Sequence, residues 1–294
     1  MNIIIFGGSG FLGSHVADVA TENGHDVTIF DLKKSAHIQQ DQKMIEGDIL
    51  NREQVQRAME GQEVVYHFAG LADLDDAASK PLQTIEYNIL GTANVLEEVR
   101  KLKIKRIVFA STVYVYSDLG GFYRCSKQAC ELYIEEYQKK YGLDFTILRY
   151  GSLYGPRADN TNSIRIFLRG GLVDGKIIYH GTGEETREYV HVKDAAKLSM
   201  EILSEKFKNQ HVTITGHQSM KVKDMLQMAN EILNHKVEID FKPASNSFHY
   251  DTTPYSFTPK VGNKLVSNCY TDMGQGLLEC LHEIHEEINQ KKND

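Results

Sequence analysis

The chain has 294 residues, 41% hydrophobic and 25% charged, with a formal net charge of −7. That suits one large globular domain, or a large domain with a smaller appendage, and the negative balance argues against a nucleic-acid surface. No apolar run reaches bilayer length, so no membrane segment is expected, and a strand expected straight from Met1 leaves no room for a signal peptide. Cys125, Cys130, Cys269 and Cys280 have no metal-type spacing and are expected to be reduced thiols of a cytoplasmic protein with no metal site.

Residues 1–6 form a short apolar run suited to a strand buried on both faces. Gly7, Gly10 and Gly13 follow at once, and a helix is predicted over 14–23. In that context the glycines read as a dinucleotide loop. Gly7 permits a tight turn, Gly10 lets the backbone approach a pyrophosphate, and Gly13 lets helix and strand pack closely. Phe11 and Leu12 belong to the same anion-facing turn at the helix start. A second strand, 26–30, leads to Asp31 and Leu32. An acid about 20 residues past such a loop accepts hydrogen bonds from the adenosine ribose and repels a 2′-phosphate. NAD is therefore expected as cofactor rather than NADP, although Lys33 and Lys34 pull weakly the other way. Another strand precedes Gly47-Asp48-Ile49, where Asp48 can accept from the adenine amine and Ile49 lies beside it.

Strands over 63–68, 106–110 and 144–148 alternate with helices over 86–101 and 127–140. This rhythm predicts an α/β fold: a Rossmann doubly wound parallel sheet covered by helices, with ligands at the carboxyl ends of the strands. After Gly155-Pro156 the rhythm changes to a smaller C-terminal mixed α/β substrate-binding lid. The expected division is 1–155, with 188–205 returning to it, against 156–187 and 206–294. The stretch 250–264, with Pro254 and Pro259, is expected to be extended lid chain, and the polar tail 289–294 to be frayed.

The strand over 106–110 delivers Ser111 and Thr112, and a helix is expected to begin just after Tyr123. Tyr123 and Lys127 are i and i+4 and can share a face. A lysine ammonium beside a phenol, with the positive ring of an oxidised nicotinamide, favours a phenolate. That phenolate can take a proton from an alcohol while hydride leaves its carbon. Thr112 can hold the same oxygen. The catalytic set is thus Tyr123, Lys127 and Thr112, with all but Thr112 also touching cofactor and Thr112 and Tyr123 touching substrate.

Taken together, the glycine loop, the Ser111-Thr112 strand end and Tyr123-x-x-Ser126-Lys127 resemble the extended short-chain dehydrogenases/reductases of the nucleotide-sugar epimerase/dehydratase type, over nearly the whole length. His67-Phe68-Ala69-Gly70 resembles the family segment under the cofactor, and Asn88-Ile89-Leu90-Gly91-Thr92 its Asn-x-x-Gly-Thr. The run from Leu148 to Pro156, with Tyr150 and Ser152, resembles the approach to the substrate lid, and Arg187 falls where the family has a phosphate-binding arginine. The resemblance implies that Phe68, Ala69, Gly70, Asn88 and Tyr150 contact NAD. It also implies that Ser152 and Arg187 hold a nucleoside-diphosphate sugar, and that the chain is a homodimer or higher homo-oligomer. Three features depart from the family. Val113 and Tyr114 replace the acids of dehydratases, Ser152 replaces an Asn, and the connection from Thr112 to Tyr123 is short. The expected reaction is oxidation at sugar C4 through a 4-keto intermediate, as a 4-epimerase. The alternatives are a C4 dehydrogenase that releases the keto sugar, a large heptose included, a non-catalytic dinucleotide sensor, and an NADPH-dependent ketoreductase, which Asp31 argues against.

Overall fold

A computed structural model describes residues 1–243, 252, 263–266 and 269–293. The strands are β1 Asn2–Phe6, β2 Asp26–Asp31, β3 Gln42–Glu46, β4 Val64–His67, β5 Arg106–Thr112, β6 Phe145–Tyr150, β7 Ser152–Tyr154, β8 Lys176–His180, β9 Thr186–His191, β10 Gln210–Ile214, β11 Ser219–Lys221, β12 Glu238–Lys242 and β13 Asn263–Leu265. The helices are α1 Phe11–Glu22, α2 Arg52–Met59, α3 Leu74–Ser79, α4 Pro81–Thr84, α5 Gly91–Lys101, α6 Gly121–Tyr141, α7 Ser163–Asp174, α8 Val192–Glu201, α9 Val222–Ile232 and α10 Met273–Asn293. A π-helical turn, Ile85–Leu90, runs into α5, and a 3-10 turn, Val113–Tyr116, follows β5.

The first compact unit comprises the described residues within 1–150, 196–214 and 254–265. Its sheet has the order β13-β10-β6-β5-β4-β1-β2-β3, and every pairing in it is parallel. Ile3, Ile4, Ile5 and Phe6 are fully buried, as a strand covered on both faces requires. Phe6, Phe30, Leu96, Phe109, Ile134 and Ile147 belong to one buried cluster under the helices. The strand order reverses between β1 and β4, which marks the switch point where such sheets bind ligands. Structure and sequence differ in the second half. Gln210–Ile214 was expected in the lid. It instead continues the large sheet, because its Val212 and Ile214 are buried and it pairs with β6 from Thr146 to Tyr150.

The second unit comprises the described residues within 151–195, 215–253 and 266–294. It holds a three-stranded sheet, β11-β9-β7, and a parallel pair, β12-β8. Leu168, Leu226, Leu277 and Ile284 from α7, α9 and α10 share its core. The polar tail expected to fray from 289 instead continues α10 to Asn293. Most of the stretch 250–264 lies outside the described residues.

Candidate functional site

Gly7 has φ +78°, and a side chain there would place its Cβ 2.6 Å from the Ala69 nitrogen and 2.8 Å from the Phe68 carbonyl carbon. The ends of β1 and β4 therefore meet backbone to backbone at the switch point. A Cβ on Gly13 would sit 2.2 Å from the Gly7 oxygen, so the first turn of α1 rests directly on the loop. Gly10 is different: its φ is −77°, and a Cβ would meet only the Gly7 oxygen, at 3.2 Å. It faces open space at the start of α1, an end with no side-chain cap and no acid in its first turn among the described residues. Backbone N–H groups there, with the helix dipole, make a cradle that fits a pyrophosphate. Phe11 and Leu12 are half-buried on its rim.

Asp31 ends β2, half-buried. One carboxylate oxygen accepts from the Ser9 backbone at 3.0 Å and the other from the Lys33 backbone at 3.4 Å. The acid is thus fixed against the glycine loop with lone pairs left for ribose hydroxyls. Leu32 is exposed. Asp48 Oδ1 accepts from the Leu50 backbone at 2.9 Å, and Ile49 is buried against Gly91. The residues present fit a dinucleotide with an unphosphorylated ribose.

Beyond β4, Phe68 and Ala69 are half-buried and Gly70 is exposed at φ +149°. The structure gives Asn88 a bracing position. Its amide accepts from the Leu71 backbone at 2.7 Å and donates to the Leu71 carbonyl at 3.0 Å and the Ser126 hydroxyl at 2.9 Å. The π-helical turn that carries Asn88 therefore ties the chain after β4 to the residue just before Lys127. Such turns recur at functional sites. Tyr150 is buried with its hydroxyl 2.6 Å from the Ser199 hydroxyl, and its ring centroid lies 6.5 Å from that of Phe68.

The helix expected to start just after Tyr123 starts at Gly121, so Tyr123 lies in its first turn. Gly120, at φ +94°, lets the chain swing directly into α6. β5 runs on to Thr112, which stands at the strand end. The Thr112 side chain accepts from the Tyr114 backbone at 3.3 Å and, as a hydrogen-bonding group near the Tyr123 hydroxyl, favours its ionised form. Lys127 is buried; its Nζ donates to the Ala110 carbonyl at 2.8 Å and stands 5.8 Å from the Tyr123 ring centroid. The three groups chosen from sequence are thus brought together from β5 and α6. The electrostatics differ from the sequence expectation. Burial pushes the Tyr123 phenol up to about 12, against the pull of Thr112. Burial also lowers the Lys127 ammonium, opposed by Cys130 and Glu131. The protein's own groups keep the phenol protonated at neutral pH.

The short connection after Thr112 is pinned to α6. Arg124 Nη1 donates to the Ser117 carbonyl at 2.6 Å and Gln128 Nε2 to the Val115 carbonyl at 3.0 Å. Val113 is buried, and Tyr114 packs against Gly120. Two buried polar groups lie outside the predicted catalytic set. His67 bonds Thr92 Oγ1 through Nε2 at 2.9 Å, and its Nδ1 has no partner among the described residues. Glu131 ion-pairs with Arg149 at 2.6 Å. A carboxylate at i+4 from Lys127, on the inward face of α6, was the available signal. Ser152 and Arg187 lie in the second unit, on β7 and β9. Arg187 is buried and donates to the Thr186 carbonyl at 3.1 Å.

Known proteins are similar to this chain over most of its length. A Methanocaldococcus jannaschii protein provisionally named a UDP-glucose 4-epimerase is 31% identical, with 80% of this chain and 82% of that protein covered. The UDP-N-acetyl-alpha-D-glucosaminuronate decarboxylase of Bacillus cytotoxicus is 28% identical, covering 82% of this chain and 83% of its own length. The crystal structure of Thermotoga maritima UDP-glucose 4-epimerase with UDP-glucose superposes with a TM-score of 0.83 at 25% identity, over 98% of this chain and all of the other. Residues 3–215 match the profile of the NAD dependent epimerase/dehydratase family, and with the dinucleotide cradle and the Thr112–Tyr123–Lys127 group inside that span, the chain belongs to this family of NAD-dependent nucleotide-sugar enzymes.

Proposed function

We propose that this protein oxidises the C4 hydroxyl of a nucleoside-diphosphate sugar to a 4-keto intermediate and then reduces it on the opposite face, as a nucleotide-sugar 4-epimerase. The observation that carries this reading is the placement of Thr112 at the end of β5 with Tyr123 and Lys127 one turn apart on α6, where Lys127 Nζ stands 5.8 Å from the Tyr123 ring centroid. Bound NAD supplies the hydride acceptor and, when oxidised, a positive ring that favours the phenolate. Tyr123 takes the proton of the C4 hydroxyl as the C4–H bond gives up its hydride, and a ketone results. Thr112 orients the same oxygen, and the Lys127 charge stabilises the phenolate. Return of the hydride to the other face of C4, with the proton passing from Tyr123 back to the oxygen, gives the C4-inverted sugar with no net redox change.

Val113 and Tyr114 bring no carboxylate to the positions where a dehydratase needs its acid, which disfavours loss of water from the sugar. The relatives named for UDP-glucose favour a uridine nucleotide. Arg187 is proposed to clamp the diphosphate through its bidentate guanidinium, with Ser152 contributing. Leu82, Ile85, Leu132 and Tyr133 are exposed on α4, the π-helical turn and α6, which supports a homodimer through this face. The free thiols of Cys125, Cys130 and Cys280 suit a reducing, cytoplasmic setting. Among the described residues no helix is long and apolar enough to cross a membrane.

A second reading, a C4 dehydrogenase that releases the keto sugar and needs an outside oxidant to regenerate NAD, draws on the short, pinned connection from 113 to 120. That segment is too tied down to fold over a keto sugar. The deciding experiment first releases and identifies the bound cofactor, then incubates the enzyme with UDP-, GDP-, CDP- and dTDP-sugars deuterated at C4. A C4-inverted product that keeps its label supports the epimerase, and label passing into NADH or an added keto acid supports the dehydrogenase. Recovery of a 4-keto-6-deoxy sugar refutes both.

A further inference from the structure

Beneath the catalytic strand end lies a polar group that the reaction above does not use. Ser111, the residue before Thr112, donates to Glu131 Oε1 at 2.5 Å. Glu131 sits one turn beyond Lys127 on α6, and Arg149 of β6 grips it through Nε at 3.0 Å and Nη2 at 2.6 Å. The two side chains are 3% and 1% exposed. Arg149 Nη1 also donates to the Tyr116 hydroxyl at 2.6 Å, within the 3-10 turn that follows Thr112, and Tyr116 meets the Thr213 hydroxyl at 3.2 Å. Replacing a buried ion pair by apolar residues of similar volume is often neutral or stabilising, so stability alone does not explain this one. What distinguishes it is placement. One carboxylate touches the residue preceding Thr112, lies four residues after Lys127 and holds the arginine that anchors the turn after Thr112.

We propose that Glu131 is a positioning residue for the reaction: through Ser111 it fixes Thr112 against Tyr123, and along α6 it supplies the negative charge that Lys127 faces. This rests on the reading that Tyr123, Thr112 and Lys127 perform the proton transfer. Lys127 is faced by Tyr123, Cys130 and Glu131 on its own helix, by the Ala110 carbonyl and the Phe109 ring on β5, and by His67 on β4. Neutral His67 and protonated Cys130 leave Glu131 as the anion of that set, and its charge holds the ammonium against burial. Glu131 itself is faced by Ser111, Arg149 and His211, with Glu135 3.1 Å from His211.

The test compares Glu131→Gln, Glu131→Asp, Ser111→Ala and Tyr123→Phe in the full-length protein with NAD, using the nucleotide sugar turned over in the labelled panel. Glu131→Gln should lower kcat about tenfold or more with KM nearly unchanged, because misplacement acts on the step and not on binding. Its alkaline limb of kcat should move to lower pH, since the lysine loses a neighbouring anion. Glu131→Asp should return the limb toward its original pH. Ser111→Ala leaves the ion pair intact and so keeps the fold if Glu131→Gln does not; it should lower kcat without moving the limb. NMR titration of the Lys127 ε-carbon, assigned with Lys127→Met, reads the same charge effect without any sugar. An unmoved limb and lysine midpoint in Glu131→Gln, or full kcat in Ser111→Ala, overturns the proposal. Near-normal turnover by Tyr123→Phe instead overturns the underlying reading.

Discussion

Gly13→Ala and Gly10→Ala separate the two tasks of the glycine loop. At Gly13 the new Cβ would lie 2.2 Å from the Gly7 oxygen and 2.9 Å from both the Gly7 carbonyl carbon and the Gly8 Cα. All three are backbone atoms, so none can swing aside, and α1 must lift from the loop by about 1 Å. Overpacking of this kind costs about 1–3 kcal/mol, and a rigid obstacle puts it at the upper end. For a chain of this size that lowers Tm by roughly 3–5 °C. At Gly10 the backbone is ordinary, and the one close atom is 3.2 Å away, so the fold should tolerate alanine with little loss. Its methyl would nevertheless stand where the backbone meets the pyrophosphate, and NAD should bind roughly 100-fold more weakly. With NAD at 100 times the unmodified protein's Kd, ligand stabilises that protein by about 2.7 kcal/mol and the Gly10→Ala variant by only about 0.4 kcal/mol. Thermal melts with and without NAD, with Kd from calorimetry, read both effects. A Gly13→Ala variant melting like the unmodified protein, or a Gly10→Ala variant with the full NAD shift, would refute the assignment of close packing to one and phosphate approach to the other.

Tyr123→Phe keeps the ring and removes the proton acceptor; hydride transfer should fall by about two to four orders of magnitude with little change in KM, measured by single-turnover absorbance of the reduced cofactor. The unmodified protein should prefer NAD to NADP, and Asp31→Ser should narrow that gap, because it removes the charge anchored to the Ser9 backbone; equal NADP binding by the unmodified protein would show that Asp31 does not face the ribose. His67 is held neutral by burial, with its pKa lowered to about 3 from 6.5. A depressed value means its share of stability is whole above pH 6.5 and is lost as pH falls toward 3, about 2 kcal/mol by pH 5. Urea midpoints at pH 7 and pH 5 should show that loss in the unmodified protein and a smaller one in His67→Gln; equal losses in both would mean the buried imidazole is not the group titrating.

Local chemistry fixed much of this protein in advance. The apolar run 1–6, the glycines at 7, 10 and 13 and the acid at Asp31 act over a few residues each, so strand, turn and helix follow from short-range sterics and burial. Tyr123 and Lys127 sit four apart on one helix, and their shared face needs only helical geometry. Other features required distant chain to meet. Gln210–Ile214 is too short and too mixed to declare its sheet; its place beside β6 depends on which buried surface remained to be covered. Asn88 became a brace only when the π-helical turn brought it against Leu71 and Ser126, 17 and 38 residues away. The Ser111–Glu131–Arg149 group joins three elements, and no one segment signals the meeting. The Tyr123 hydroxyl likewise owes its residue type to sequence, while its protonation at neutral pH was decided by burial, which only the tertiary packing sets.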